Sequence, residues 1–131
     1  MNCPACHNAM VVLELAEVEI DHCMDCGGIW LDAGELEMLF DDADKARRCI
    51  QSFRIDSRSA EKPRPCPICD KKMEKVIVGT EQPPLLIDRC RKGDGLWFDS
   101  GELQDVLARG RLDPESRIRK ILADMFGLAN S

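Results

Sequence analysis

Seven of the eight cysteines fall in a pattern that can bind metal. Cys3 and Cys6 form one C-x-x-C pair, and Cys23 and Cys26 form a second. Two cysteines at this spacing can put both sulfurs on one ion through a tight turn. Two such turns facing each other complete a tetrahedron of thiolates, with zinc–sulfur bonds of about 2.3 Å. Four protein thiolates leave no open position for substrate, so the site reads as structural. Iron held by the same four sulfurs and a disulfide framework are the alternatives. Disulfides need an oxidising compartment, and the chain shows no apolar leader segment. A reducing cytoplasmic location is therefore the expectation.

The pattern occurs twice. Cys66, Cys69 and Cys90 repeat Cys3, Cys6 and Cys23, but Gly93 stands where the fourth cysteine would be. Asp94, one residue on, is the leading candidate for the fourth ligand, since a carboxylate oxygen ligates zinc at about 2.0–2.2 Å. Cys49, a water molecule or an empty site are the other readings. His7 and His22 each neighbour a ligand cysteine, in a set that four thiolates already close.

These ligands need hairpins to bring them together. Met10–Leu15 and Val18–His22 read as paired strands, with Val18 and Ile20 alternating against Glu19 and Asp21. Ile29–Leu31 reads as a short third strand. Asp32 reads as a helix N-cap with Glu35 completing a capping box, and the spacing predicts one helix to about Arg48. Leu36, Leu39, Phe40, Ala43 and Ile50 would form its apolar stripe. Met73–Val78 and Leu85–Arg89 repeat the strands around a longer tip, and Asp99 and Glu102 repeat the cap before a helix to about Arg109. Trp30 and Trp97 hold equivalent places and are expected to pack against the hairpins. Asp113 and Pro114 suit the start of a last helix, with Ile118, Ile121, Leu122, Met125 and Phe126 along one face and Gly127 at its end.

The expected fold class is a small zinc-stabilised α+β protein. It would hold two tandem zinc ribbons, each a short antiparallel hairpin with knuckles followed by a helix, plus a C-terminal amphipathic helix. The expected domains are residues 1–50, a linker at 51–65, a second ribbon with its helix at 66–110, and a helix and tail at 111–131. Units this small need a staple such as a metal.

Charge divides the chain unevenly. Its net charge is −6 over 131 residues, yet residues 1–44 contain no Lys or Arg and 11 acids. The later part holds all 18 bases against the other 13 acids, or about +5 by subtraction. Lys71, Lys72, Lys75, Arg89, Arg91 and Lys92 are the candidates for touching a nucleic-acid backbone. No run is long and apolar enough to cross a membrane, so no membrane partner is expected.

The pattern C-P-x-C … C-x-x-C-G-G-I-W-L-D-A-G-E-L, carried by residues 3–40 and again with one departure by 66–107, resembles the transcription factor IIB-type zinc ribbon of small bacterial proteins. Gly28, Trp30, Asp32, Gly34, Glu35 and Leu36 all fall in place. Two zinc ions are expected from the repeated pattern, and the resemblance implies an association with nucleic acid or the transcription machinery. It also implies a ligand role for Asp94, near where similar second repeats often carry His.

Four functions compete. A non-catalytic zinc-binding adaptor for a protein partner, within the transcription or translation machinery, fits the closed first site and the acidic first repeat. Direct nucleic-acid binding would use the basic second half. A redox-responsive protein would release the second metal. An enzyme is not expected: Pro65-Cys66-Pro67-Ile68-Cys69 matches half of a zinc deaminase signature, but no H-x-E accompanies it. The last helix is a candidate homodimer surface.

Overall fold

Alternation of apolar and polar residues builds the sheet. The computed structural model describes residues 1–39, 42–56, 63–79, 83–109 and 117–126. Strands β1 (Val11–Leu15), β2 (Val18–His22) and β3 (Ile29–Asp32) form one antiparallel meander. After them come helices α1 (Glu35–Met38) and α2 (Ala43–Gln51) and a short strand β4 (Arg54–Ile55). The second repeat supplies β5 (Glu74–Val78), β6 (Leu85–Arg89) and β7 (Gly95–Phe98), then α3 (Glu102–Arg109) and α4 (Arg117–Phe126). The class is α+β.

The two meanders join in one seven-stranded sheet of order β1-β2-β3-β7-β6-β5-β4. At the junction β3 and β7 run antiparallel, with Trp30 opposite Trp97, Ile29 opposite Phe98 and Leu31 opposite Leu96. Equivalent residues of the repeats thus exchange places about a local two-fold axis, as in an isologous dimer. The side-chain period of two then sorts the sheet into two faces. Leu15, Ile20, Leu31, Phe98, Ile87 and Val76 point to one face, which the helices cover. Trp30, Trp97 and Met73 point to the other and pack with Cys3, Cys23, Cys66 and Cys90. Both tryptophans are fully buried, as packing residues should be.

Three local features depart from the pattern read in the sequence. The single helix expected to Arg48 is two helices, because Asp42 accepts a hydrogen bond from the Lys45 N–H at 3.0 Å and caps a new start. Asp32 is not the cap of α1. Its carboxylate accepts the Trp30 indole N–H at 2.7 Å, and Gly34 takes the cap position. A buried indole N–H must find an acceptor, so only the Glu35 half of the capping box forms, accepting the Asp32 N–H at 2.6 Å. The second repeat does the same through Trp97 and Asp99 at 3.1 Å and through Glu102 and the Asp99 N–H at 2.7 Å. Finally, the stretch read as linker buries Phe53 and pairs Arg54–Ile55 with β5.

Ile118 and Leu122 of α4 are buried in the core under the helices, and Arg117 donates to the Leu39 carbonyl at 3.3 Å. Phe40, the linker residues 57–62, the hairpin-tip residues 80–82, and Asp113, Pro114 and Gly127 lie outside the described residues. Among the described residues, no helix is long and apolar enough to cross a membrane.

Candidate metal centres

Each knuckle is shaped by backbone hydrogen bonds that return to its first cysteine. The His7 N–H donates to the Cys3 carbonyl at 2.9 Å, and the Asp70 N–H to that of Cys66 at 2.8 Å. His7 and Asp70 hold equivalent places and share a left-handed φ of 67° and 64°. Inside these turns the N–H groups of Ala5 and Cys6 point at Cys3 Sγ, at 3.3 and 3.4 Å, and that of Ile68 points at Cys66 Sγ at 3.4 Å. Such donors favour the thiolate over the thiol.

One ligand atom from each of Cys3, Cys6, Cys23 and Cys26 lies within 4.8 Å of the others. Cys3 and Cys26 sulfurs are 3.5 Å apart, and those of Cys6 and Cys23 are 3.4 Å apart. A zinc tetrahedron with bonds of about 2.3 Å has sulfur–sulfur edges of about 3.8 Å. A disulfide would need about 2.05 Å, and all eight cysteines are free thiols. Cys66, Cys69, Cys90 and Asp94 converge in the same way. Asp94 Oδ2 is 3.3 Å from Cys90 Sγ and 3.6 Å from Cys66 Sγ, where a mixed zinc tetrahedron has sulfur–oxygen edges of about 3.6 Å. The two groups fit two zinc ions.

The electrostatics favour a cation in both. Burial pushes the Cys3 and Cys66 thiols up to about 12. Burial works against Cys23 as well, but the Cys26 backbone N–H and the Cys6 thiol outweigh it and bring Cys23 down to about 7. Thiols from Cys69 and Cys90 hold the Asp94 carboxyl below the usual carboxylate range. Packing this many acidic groups together is costly unless a dication neutralises them, and coordination deprotonates a thiol outright.

A shift of one residue in the fourth knuckle brings Asp94 in. In the first repeat the Gly27 N–H donates to the Cys23 carbonyl, and Gly27 is left-handed at φ 80°. In the second repeat Gly93 donates to Cys90 instead and is left-handed at φ 84°. The turn closes one residue sooner. The next side chain is longer than cysteine by one atom and reaches the same centre. Both knuckles still end alike, with Cys23 N–H donating to Gly28 O and Cys90 N–H to Gly95 O.

The other candidates fall elsewhere. Cys49 is half-buried in the core under the helices and is not among the converging atoms. His22 is buried and donates from Nδ1 to the Gly28 carbonyl at 3.0 Å, while His7 is exposed. Among the six cations considered for nucleic acid, Lys71, Lys72, Arg91 and Lys92 are exposed. Lys75 is not: it is buried in an ion pair with Asp88 at 2.8 Å. Arg89 is paired with Glu74 at 2.9 Å.

The device that locks the centres together was not anticipated. A Cβ on Gly28 would stand 2.2 Å from Trp97 Cζ2, and one on Gly95 would stand 2.7 Å from Trp30 Cζ2. Each tryptophan therefore lies on the glycine of the other repeat. The signal was present as a glycine two residues before each tryptophan, but only the β3–β7 register makes the contacts reciprocal.

Paired knuckles on a small antiparallel sheet, each set of ligands fitting one zinc ion, define the zinc-ribbon class. A transcription factor zinc-finger family profile, the zinc ribbon of transcription factor IIB type, matches residues 2–42 and again 65–109. The chain belongs to that family, with two repeats of it. No curated protein and no solved structure matches the chain.

Proposed function

We propose that this protein is a non-catalytic zinc-binding adaptor built from two tandem zinc ribbons. Cys3, Cys6, Cys23 and Cys26 would hold one ion, and Cys66, Cys69, Cys90 and Asp94 the other. The observation that carries the reading is closure: each centre is surrounded by four protein ligand atoms within 4.8 Å. A zinc enzyme keeps a position for water or substrate. Zinc held this way contributes folding energy rather than chemistry, and the reciprocal Trp–Gly contacts join the two small ribbons within one sheet. An association with transcription machinery follows from the family alone and belongs to this proposal.

The test is affinity capture from host lysate on the zinc-loaded chain, with and without nuclease. Protein partners that survive nuclease support the adaptor. Partners lost with nuclease refute it in favour of nucleic-acid binding. That second reading has one observation in its favour: Lys71, Lys72, Arg91 and Lys92 are exposed and flank the ligands of the second centre. Binding through them would weaken steeply with salt.

A further inference from the structure

The two repeats differ most where they should match. In the second repeat, the two residues of β4 cover part of the outer side of β5, with Arg54 opposite Ile77 and Ile55 opposite Val76. The equivalent strand of the first repeat is β1, and it ends the sheet with no strand beside it among the described residues. Glu14 and Leu13 take the places of Ile77 and Val76. The bare strand is five residues long and leaves Val11 40% and Val12 62% exposed. Long edges with exposed apolar side chains are templates for strand addition.

Glu14 lies directly opposite Glu19 on the open face of the sheet, and like charges in that position destabilise a strand pair. The second repeat has Ile77 opposite Leu86 there. Asp21 stands opposite Val12, while its equivalent Asp88 stands opposite Lys75, whose ammonium it holds at 2.8 Å. The first repeat therefore keeps the carboxylates of this face without the lysine. Residues 1–44 contain no Lys or Arg to supply one. A second β1 would bring another Glu14 and no cation to this face.

We propose that the outer edge of β1 docks an extended basic segment of a protein partner, in which Lys or Arg alternates with apolar residues. It adds antiparallel to β1, as β4 does to β5, with a cation opposite Glu14 and an apolar side chain opposite Leu13. The inference rests on the adaptor reading and names the partner's chemistry. The β1–β2 hairpin has a two-residue turn at Ala16 and Glu17. Leu15 and Val18 then form a hydrogen-bonded pair, so the N–H groups of Val12 and Glu14 point outward.

The test is fluorescence polarisation on the full zinc-loaded chain with a labelled Lys-Val-Lys-Val-Lys-Val peptide and a Glu-Val control. The wild type should prefer the basic peptide by at least about tenfold, with the preference falling as salt rises. Val12→Pro removes an outward donor without touching the hairpin ladder and should abolish binding while zinc content and Tm hold. Glu14→Lys should weaken it and leave the fold intact. Equal binding of both peptides, or full binding by Val12→Pro, overturns the proposal. So does self-association of the wild type that Val12→Pro abolishes, since the occupant is then a second copy. None of these results touches the adaptor reading, which falls only if no partner survives nuclease.

Discussion

Replacing Gly28 by alanine should loosen the contact that holds the two repeats together. Gly28 does not have a left-handed backbone, so alanine meets no conformational penalty there. The penalty is space. The new methyl carbon would stand 2.2 Å from Trp97 Cζ2 and 2.3 Å from Cη2, against an ordinary carbon contact of about 3.5 Å. Trp97 is fully buried beside Trp30 and the cysteine clusters, so its ring has no solvent to move into. Overpacking of this kind costs about 1–3 kcal/mol, and a fully enclosed ring places it toward the upper end. Reduced freedom of the unfolded chain returns about 0.4–1 kcal/mol. The net loss is then about 2 kcal/mol, or about 8 °C in Tm for a chain of this length. The assay is thermal unfolding of the zinc-loaded protein, run as a double-mutant cycle with Trp97→Phe, which removes the two clashing carbons. The pair should be more stable than the sum of the single changes by at least about 1 kcal/mol. Gly95→Ala should lose more and resist rescue by Trp30→Phe, because its methyl also meets the Leu31 carbonyl oxygen at 2.2 Å. An unchanged Tm for Gly28→Ala, or strict additivity in the cycle, would refute the reciprocal packing.

Three further outcomes are expected. The β1–β2 turn holds Ala16 and Glu17 at φ 49° and 70°, so Glu17→Gly should raise stability by roughly 1 kcal/mol, measured by urea unfolding. Lys75→Met leaves Asp88 buried, with Arg64 at 3.7 Å as its other cation, and should cost about 3 kcal/mol by the same measurement. Burial raises Glu102 to about 7. A carboxylate raised on folding contributes stability that is present below its unfolded value, 4.5, and is lost as pH rises through about 7. Glu102→Gln keeps an acceptor for the Asp99 N–H, so its Tm advantage over wild type should grow between those limits and be absent in acid. A difference flat with pH would count against the buried charge.

How much of this was legible depends on the range of the interaction. The convergence of the cysteines into two groups was, because C-x-x-C spacing is local and its repetition is improbable by chance. Strands β1, β2, β5 and β6 were, because Val18, Ile20, Val76 and Ile87 alternate with residues of the opposite face. The helix cap failed because Asp32 had two possible partners, and the nearby buried indole outweighed the N–H groups of the helix. Lys75 looked like a surface cation because its partner Asp88 is on another strand. The union of the repeats was least legible. Pairing of β3 with β7 joins residues far apart in the chain, and no local pattern specifies a neighbour strand.

Zinc stoichiometry measured by native mass spectrometry and elemental analysis, on the wild type and on Asp94→Ala and Cys26→Ala, tests the central claim most directly. Two ions per chain are expected in the wild type. Asp94→Ala should weaken or lose the second ion and Cys26→Ala the first, each leaving the other centre filled. One ion in the wild type, or two held undiminished by Asp94→Ala, would contradict the account.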